Sequence, residues 1–416
     1  MERYISLLGL VVMIGLAWLM SSHRSRFPWR IVIVGMVLQL VFAVLTLKTP
    51  WGVALFQQLG AVFDSILAFV DEGSALMFGI NGDEDDGLPP RLVLLKSFAF
   101  GVLPTIIFFS AFMSILYHIG VMQLLVGALA YVMRRTLGTS GAETLSTAAN
   151  IFVGQTEAPL VIRPYVARLT QSELMVVMVG GFATIAGGVM AIYVKLGIDA
   201  AHLMTASVIS APAALLISKV MQPEVEEPET GGKAPAKMQR ETSNVFEAAA
   251  EGASSGMSLA LNVAAMLIAF TALVALMNAV VGAAGGLFGF EGEAAWTIQR
   301  GMGYCFAPLA WLMGIPWEDC LQSGQLLGTR TVLNEFYAYF NLSQAIEEGK
   351  LSERSVTILT YALCGFANFS SIGIQIGGIG AMAPERRADL ARLGLRAMIA
   401  GTLATFMTAC VASLLI

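Results

Sequence analysis

Apolar stretches near the length needed to cross a bilayer, roughly 20 residues, recur along this chain from one end to the other. Eight such spans lie near 4–20, 30–48, 98–117, 174–194, 201–220, 257–282, 355–378 and 393–415. Lipid offers no partner to a backbone N–H or C=O, so a chain with this many apolar runs must fold as helices that satisfy those groups internally. The expected fold is an all-α polytopic membrane protein. The first run, YISLLGLVVMIGLAWLM, is followed by no small-residue cleavage site and reads as a retained helix rather than a signal peptide. Four cysteines (305, 320, 364 and 410) show no metal-ligand spacing and read as unpaired thiols. The net charge of −5 comes with no block of Lys and Arg, which argues against nucleic acid as a partner.

The charged loops orient the spans, because Lys and Arg accumulate on the cytoplasmic side. SSHRSRFPWR (21–30) would be cytoplasmic, with Arg24, Arg26 and Arg30. The N-terminus and the acidic NGDEDDG stretch (81–87) then fall outside, Arg134, Arg135, Arg163 and Arg168 inside, and the C-terminus outside after the basic PERRADLARLGLR (384–396). The polar linker QPEVEEPETGGKAPAKMQRE (222–241) lands inside and reads as flexible from its Pro, Gly and charge content.

Two stretches, 142–169 and 317–347, resist reading as single spans, since each carries a polar cluster and a break near its middle. A single crossing by either would move every later loop to the wrong side. Re-entrant hairpins keep the charge pattern, and irregular backbone at that depth is tolerated only where it lines a protein-enclosed site. The order of spanning helix, amphipathic segment, hairpin, broken helix and spanning helix then occurs twice, with opposite orientation. Inverted repeats with broken helices point to a transporter with its site near the midplane. The expected domains are scaffold helices with an interfacial helix (1–117), a first transport half (118–220), a linker with an interfacial segment (221–256), a scaffold helix (257–282) and a second transport half (283–416).

The polar residues of these breaks are the candidate site. The first hairpin carries Asn150 and GQTEAP (154–159), and its partner helix carries GGFATIAGGV (180–189), where glycines around Thr184 permit unwinding. The second carries TVLNEF (331–336), opposite CGFANFSSIGIQIGG (364–378) with Asn368, Ser370 and Ser371. Glu157 and Glu335 stand out, because ionisable groups in lipid are expensive and usually functional. The clusters hold carboxylates, amides and hydroxyls beside Phe336, Phe366 and Phe369 but no Arg or Lys. That set suits a neutral solute, with adjacent sugar hydroxyls donating to a carboxylate and a heterocyclic face packing on Phe. No nucleophile or cofactor motif supports an enzyme.

GQTEAPL, ATIAGG, NEF and CGFANFSSIG, in this order, closely resemble the concentrative nucleoside transporters, most of all their short bacterial members. The likeness covers nearly the whole chain. It implies a homotrimer in the bacterial inner membrane, in which a scaffold holds a mobile domain that carries nucleosides such as uridine by an elevator motion. Carried over residue by residue, it implies that Gln155, Thr156 and Glu157 hold the base, with Val189 and Leu259 on its apolar side. Glu335, Asn368 and Ser371 would hold the ribose, with Phe366 beside them. The implied coupling ion is sodium at Asn150, Val153, Thr184 and Ile185, whose oxygens suit a hard cation. Proton coupling through Glu157 or Glu335, and a different neutral cargo such as a nucleobase, remain open alternatives.

Overall fold

A computed structural model describes residues 2–78, 99, 103–231, 242–290 and 296–416. The acidic stretch at 81–87, the start of the span expected at 98–117 and the linker beyond residue 231 lie outside them. Every regular element among the described residues is helical. The chain opens with α1 (Glu2–Leu19), α2 (Trp29–Leu47) and the 29-residue α3 (Pro50–Phe78). A first group of elements follows: α4 (Leu103–Ile119), α5 (Val121–Leu137), α6 (Gly141–Ala149), a 3-10 turn at Ala158–Ile162 leading into α7 (Arg163–Val166), α8 (Gln171–Phe182), α9 (Gly187–Lys195) and α10 (Ala200–Met221). The second comprises α11 (Val245–Gly286), α12 (Ile298–Leu312), α13 (Trp317–Val332), α14 (Glu335–Glu347), α15 (Glu353–Leu363), α16 (Phe369–Met382) and α17 (Arg387–Leu415).

Five described helical stretches are long and apolar enough to cross a bilayer, or six if α4 and α5 count as one span bent by 75°. This is fewer than the eight expected spans. The stretch at 257–282 lies inside α11, and 355–378 is realised as α15 and α16, neither of which is long enough alone. The sequence reading gave no span to α3, whose 29 residues begin with Pro50, a residue suited to the first helical position.

The core lies in α8, α9, α10 and the C-terminal two thirds of α17, where most residues are buried. Helices that are apolar all round must be enclosed on all sides. Large apolar side chains are instead exposed on the outer helices, among them Leu7, Val11, Ile33 and Val37 on α1 and α2, and Leu261, Ile268, Leu276 and Val280 on α11. Close packing of α11 on α4 follows from GASSG at 252–256: a Cβ on Gly252 would lie 2.7 Å from Ala111 Cα, and one on Gly256 2.7 Å from Ile107 Cα. Small residues four apart let two backbones approach this closely.

Both chain ends lie together, since Ser6 Oγ and Ser413 Oγ share a hydrogen bond of 2.7 Å. At the opposite end, Arg396 donates to the Met20 and Met221 carbonyls, so α1 runs antiparallel to α17. The linker differs from expectation at this end. Residues 222–231 are docked rather than loose: Glu224 accepts from Thr170 Oγ1 (3.0 Å) and Lys219 Nζ (3.2 Å), Arg168 pairs with Glu229 (2.9 Å), and Thr230 accepts from Gly141 N and Ala142 N. The acids and threonine that look like a solvated run in sequence find unpaired N–H groups and cations at the ends of α6, α8 and α10.

Candidate functional site

Each hairpin is closed at its base by the caps of its own half. Ser140, which precedes α6, donates to Glu173 of α8 at 2.5 Å, and Glu143 of α6 pairs with the buried Lys219 of α10 at 2.7 Å. In the second half Ser352 and Ser355, at the start of α15, donate to Asp319 of α13 at 2.7 and 2.5 Å. Both polar stretches therefore return to the end from which they left. Their limbs differ, because Pro159 and Pro164 keep the return limb of the first hairpin short and partly 3-10, lacking the N–H a longer helix would use. The second hairpin returns through the full α14.

The chain between α8 and α9 is unwound at Ala183–Ala186, and Gly187 N donates to Phe152 O at 3.1 Å, joining the break to the first hairpin turn. Gly180 and Gly181 are helical and do not themselves unwind. They permit contact: an added Cβ on Gly180 would lie 3.1 Å from Asn150 Nδ2, and one on Gly181 2.8 Å from Gln155 Cβ and from Gln375 Nε2. The second break spans 364–368, and Phe366 N donates to Thr184 O at 3.3 Å, so the two breaks meet.

Around this junction lies a connected polar cluster. Asn334 caps α14 by accepting from Tyr337 N (2.8 Å), and Asn368 caps α16 by accepting from Ser371 N (2.9 Å). Asn and Asp favour this position because a side-chain oxygen satisfies an otherwise unpaired N–H. Glu335, in the first turn of α14, accepts from Asn368 Nδ2 (2.8 Å) and from Tyr193 OH (3.2 Å). Gln155 donates to Ser371 Oγ (3.1 Å) and accepts from Gln375 Nε2 (3.0 Å), which also donates to Met178 O (3.1 Å). The structure thus brings Gln155, Glu335, Asn368 and Ser371 together, all buried. Val189 and Phe366 are also buried, whereas Leu259 is half-buried on α11. Thr156 is half-buried, with its Cβ 3.0 Å from where a Cβ on Gly378 would stand. Glu157 is exposed and accepts from Gly154 N at 3.2 Å, outside the cluster.

Asn150, Val153, Thr184 and Ile185 are all buried. Thr184 Oγ1 donates to Gly180 O at 2.9 Å, and Asn150 Oδ1 has no hydrogen-bond partner in the protein. A buried acceptor left unpaired is costly, and an amide oxygen in this position fits an alkali cation.

Three polar residues of the junction escaped the sequence reading. Gln375, the lone amide in SSIGIQIGG, carried a visible signal. Tyr193 did not, being the tip of an apolar helix face. Arg330, one residue before TVLNEF, is fully buried; its guanidinium donates to Thr405 Oγ1 (2.9 Å) and the Ala362 carbonyl at the end of α15, and lies 5.3 Å over the Phe406 ring. The clusters lack a cation, yet this one lies close enough to interact electrostatically with Glu335.

Comparison with known proteins yields three family matches: Na+ dependent nucleoside transporter C-terminus over residues 202–413, Na+ dependent nucleoside transporter N-terminus over 8–81, and nucleoside recognition (Gate) over 99–200. An uncharacterized transporter of Bacillus subtilis, YutK, is 44% identical over 99% of this chain and 98% of its own length. Rat sodium/nucleoside cotransporter 1 is 42% identical over the whole chain, which spans 64% of that longer protein. The solved structure of CNTnw in an inward-facing substrate-bound state is 39% identical and superposes with a TM-score of 0.91, over 100% of this chain and 98% of that one. A doubly substituted CNTnw in an outward-facing state gives 0.89. These proteins are transporters and not enzymes, and with full-length similarity of this kind the chain belongs to the concentrative, Na+-dependent nucleoside transporter family.

Proposed function

We propose that this protein imports nucleosides across the plasma membrane by sodium symport, through an elevator motion of the domain that carries both hairpins. The observation that carries the reading is the bonded cluster of Gln155, Ser371, Asn368 and Glu335 where the two helix breaks meet. Glu335 uses one contact on each oxygen, and a carboxylate has about four acceptor sites, so two vicinal ribose hydroxyls can still donate to it. Gln155, with Thr156 and Glu157 on the same turn, would meet the base. Val189, Leu259 and Phe366 would supply the apolar walls usual for such sites.

In this reading sodium binds at Asn150, Val153, Thr184 and Ile185, and fixes the first hairpin turn against the break between α8 and α9. That arrangement positions Gln155, so the ion and the nucleoside favour one conformation and each raises the affinity for the other. The two repeats are inverted across the membrane, with eight crossings, two re-entrant hairpins and both chain ends outside. Arg24, Arg168, Arg386 and Arg396 then lie on the cytoplasmic side, as the positive-inside rule asks. The assembly is a homotrimer, with α11 in the scaffold.

Labelled uridine uptake into proteoliposomes tests the substrate. Saturable uptake that is inhibited by unlabelled nucleosides and not by free uracil or ribose supports a site that needs both halves of the molecule. Equal inhibition by uracil would reassign the cargo to nucleobases.

A further inference from the structure

The buried helix α6 carries three hydroxyls that ought to behave alike. In an apolar setting, a Ser or Thr hydroxyl within a helix normally returns its proton to the carbonyl four residues earlier. Thr144 does so to Ser140 O (2.6 Å), and Thr147 to Glu143 O (2.8 Å). Ser146 does not: it is 0% exposed, and its Oγ has no hydrogen-bond partner in the protein. One turn further on, Asn150 is also 0% exposed with its Oδ1 unpartnered. Residues four apart share a helix face, and Asn150 Nδ2 donates to Ser146 O at 3.1 Å, which holds the amide against that turn.

The same face meets α8 just before its break. Gly180 stands so close that an added Cβ would lie 3.1 Å from Asn150 Nδ2, and the Gly180 carbonyl accepts the proton of Thr184. The Thr184 hydroxyl, its proton thus committed, keeps lone pairs for another partner. Ser146 Oγ and Asn150 Oδ1 are oxygens of the same kind, neutral and hard, and no carboxylate bonds to either. Divalent ions call for carboxylates, so an all-neutral oxygen set selects a monovalent cation. A hydroxyl can ligate such an ion through a lone pair without losing its proton.

We infer that Ser146 Oγ is a further ligand of the transported cation, adding a side-chain oxygen to those of Asn150 and Thr184. The inference rests on the sodium site described under Proposed function and extends it to a residue outside both sequence motifs. Its consequence is that α6, and not only the hairpin turn, is gripped by the ion. Sodium binding then tightens the first hairpin over a full helical turn.

Sodium-dependent thermal stabilisation of the purified full-length protein tests this without reference to transport. Melting is followed as sodium replaces choline, for the wild type, Ser146→Ala, Ser146→Thr and Asn150→Ala. Loss of one ligand should raise the sodium concentration for half-maximal stabilisation about tenfold or more in Ser146→Ala, with Ser146→Thr, which keeps the oxygen, close to wild type. Should Ser146→Ala fold poorly in choline, Ser146→Cys, of similar size but with a soft donor, must show the same loss of sodium response. A shift in Asn150→Ala with none in Ser146→Ala would overturn the ligand role of Ser146 and leave the sodium site standing. No shift in either variant would overturn the sodium site itself.

Discussion

Glu335→Gln separates the charge of this carboxylate from its shape. Glu335 accepts from Asn368 Nδ2 at 2.8 Å and from Tyr193 OH at 3.2 Å. A glutamine can keep its oxygen toward Asn368 and turn its amide N–H toward the Tyr193 oxygen, which can accept, so the local network survives. What it loses is the charge-assisted acceptor offered to the sugar hydroxyls. Hydrogen bonds to a charged group contribute about 1.5–3 kcal/mol against about 0.5–1.5 kcal/mol for neutral pairs. Across two hydroxyls the difference is about 2–3 kcal/mol, or roughly 30- to 150-fold in dissociation constant. Calorimetric titration of uridine into detergent-purified protein at saturating sodium reads this directly, and uptake at low uridine should be lost while the elution position on a sizing column stays that of wild type. An unchanged dissociation constant would refute the ribose role of Glu335.

Three further outcomes follow from the packing. Gly256→Val should lower the melting temperature markedly, because its Cβ alone would stand 2.7 Å from Ile107 Cα on α4, and overpacking of this kind costs about 1–3 kcal/mol; Gly286→Val, where an added Cβ meets nothing within 4 Å, should not. Lys219→Met leaves Glu143 buried without its cation (3% and 1% exposed), a loss of about 3–5 kcal/mol, and Lys219→Met with Glu143→Gln should recover most of the yield of folded protein on a sizing column. Replacing Glu224 and Thr230 together by alanine should release the docked linker, seen as faster tryptic cleavage at Arg168 than in wild type.

The bundle was legible because lipid forces apolar residues into continuous runs, and the two hairpins because Gln155 and Glu335 sit where such a run should not be polar. Tertiary bonds were not legible. Glu224 and Thr230 look like any charged, flexible linker until the N-termini of α6 and α8 are placed beside them. Gly180 and Gly181 carry a signal for helix breaking, and only the fold shows that the space is taken by Asn150 and Gln155. Arg330, one residue before TVLNEF, was not read as part of the cluster, although its burial against the Ala362 carbonyl and Phe406 places it deep in the second half. Glu157 was grouped with Glu335 by symmetry of sequence, while the short proline-containing limb after it leaves it exposed.

The central claim is that sodium and nucleoside move together, and accumulation in proteoliposomes tests it most directly. With an inward sodium gradient and equal pH on both sides, labelled uridine should rise inside above its external concentration and collapse when the gradient is dissipated. Accumulation driven by an inward proton gradient in the absence of sodium, with none driven by sodium, would contradict the account.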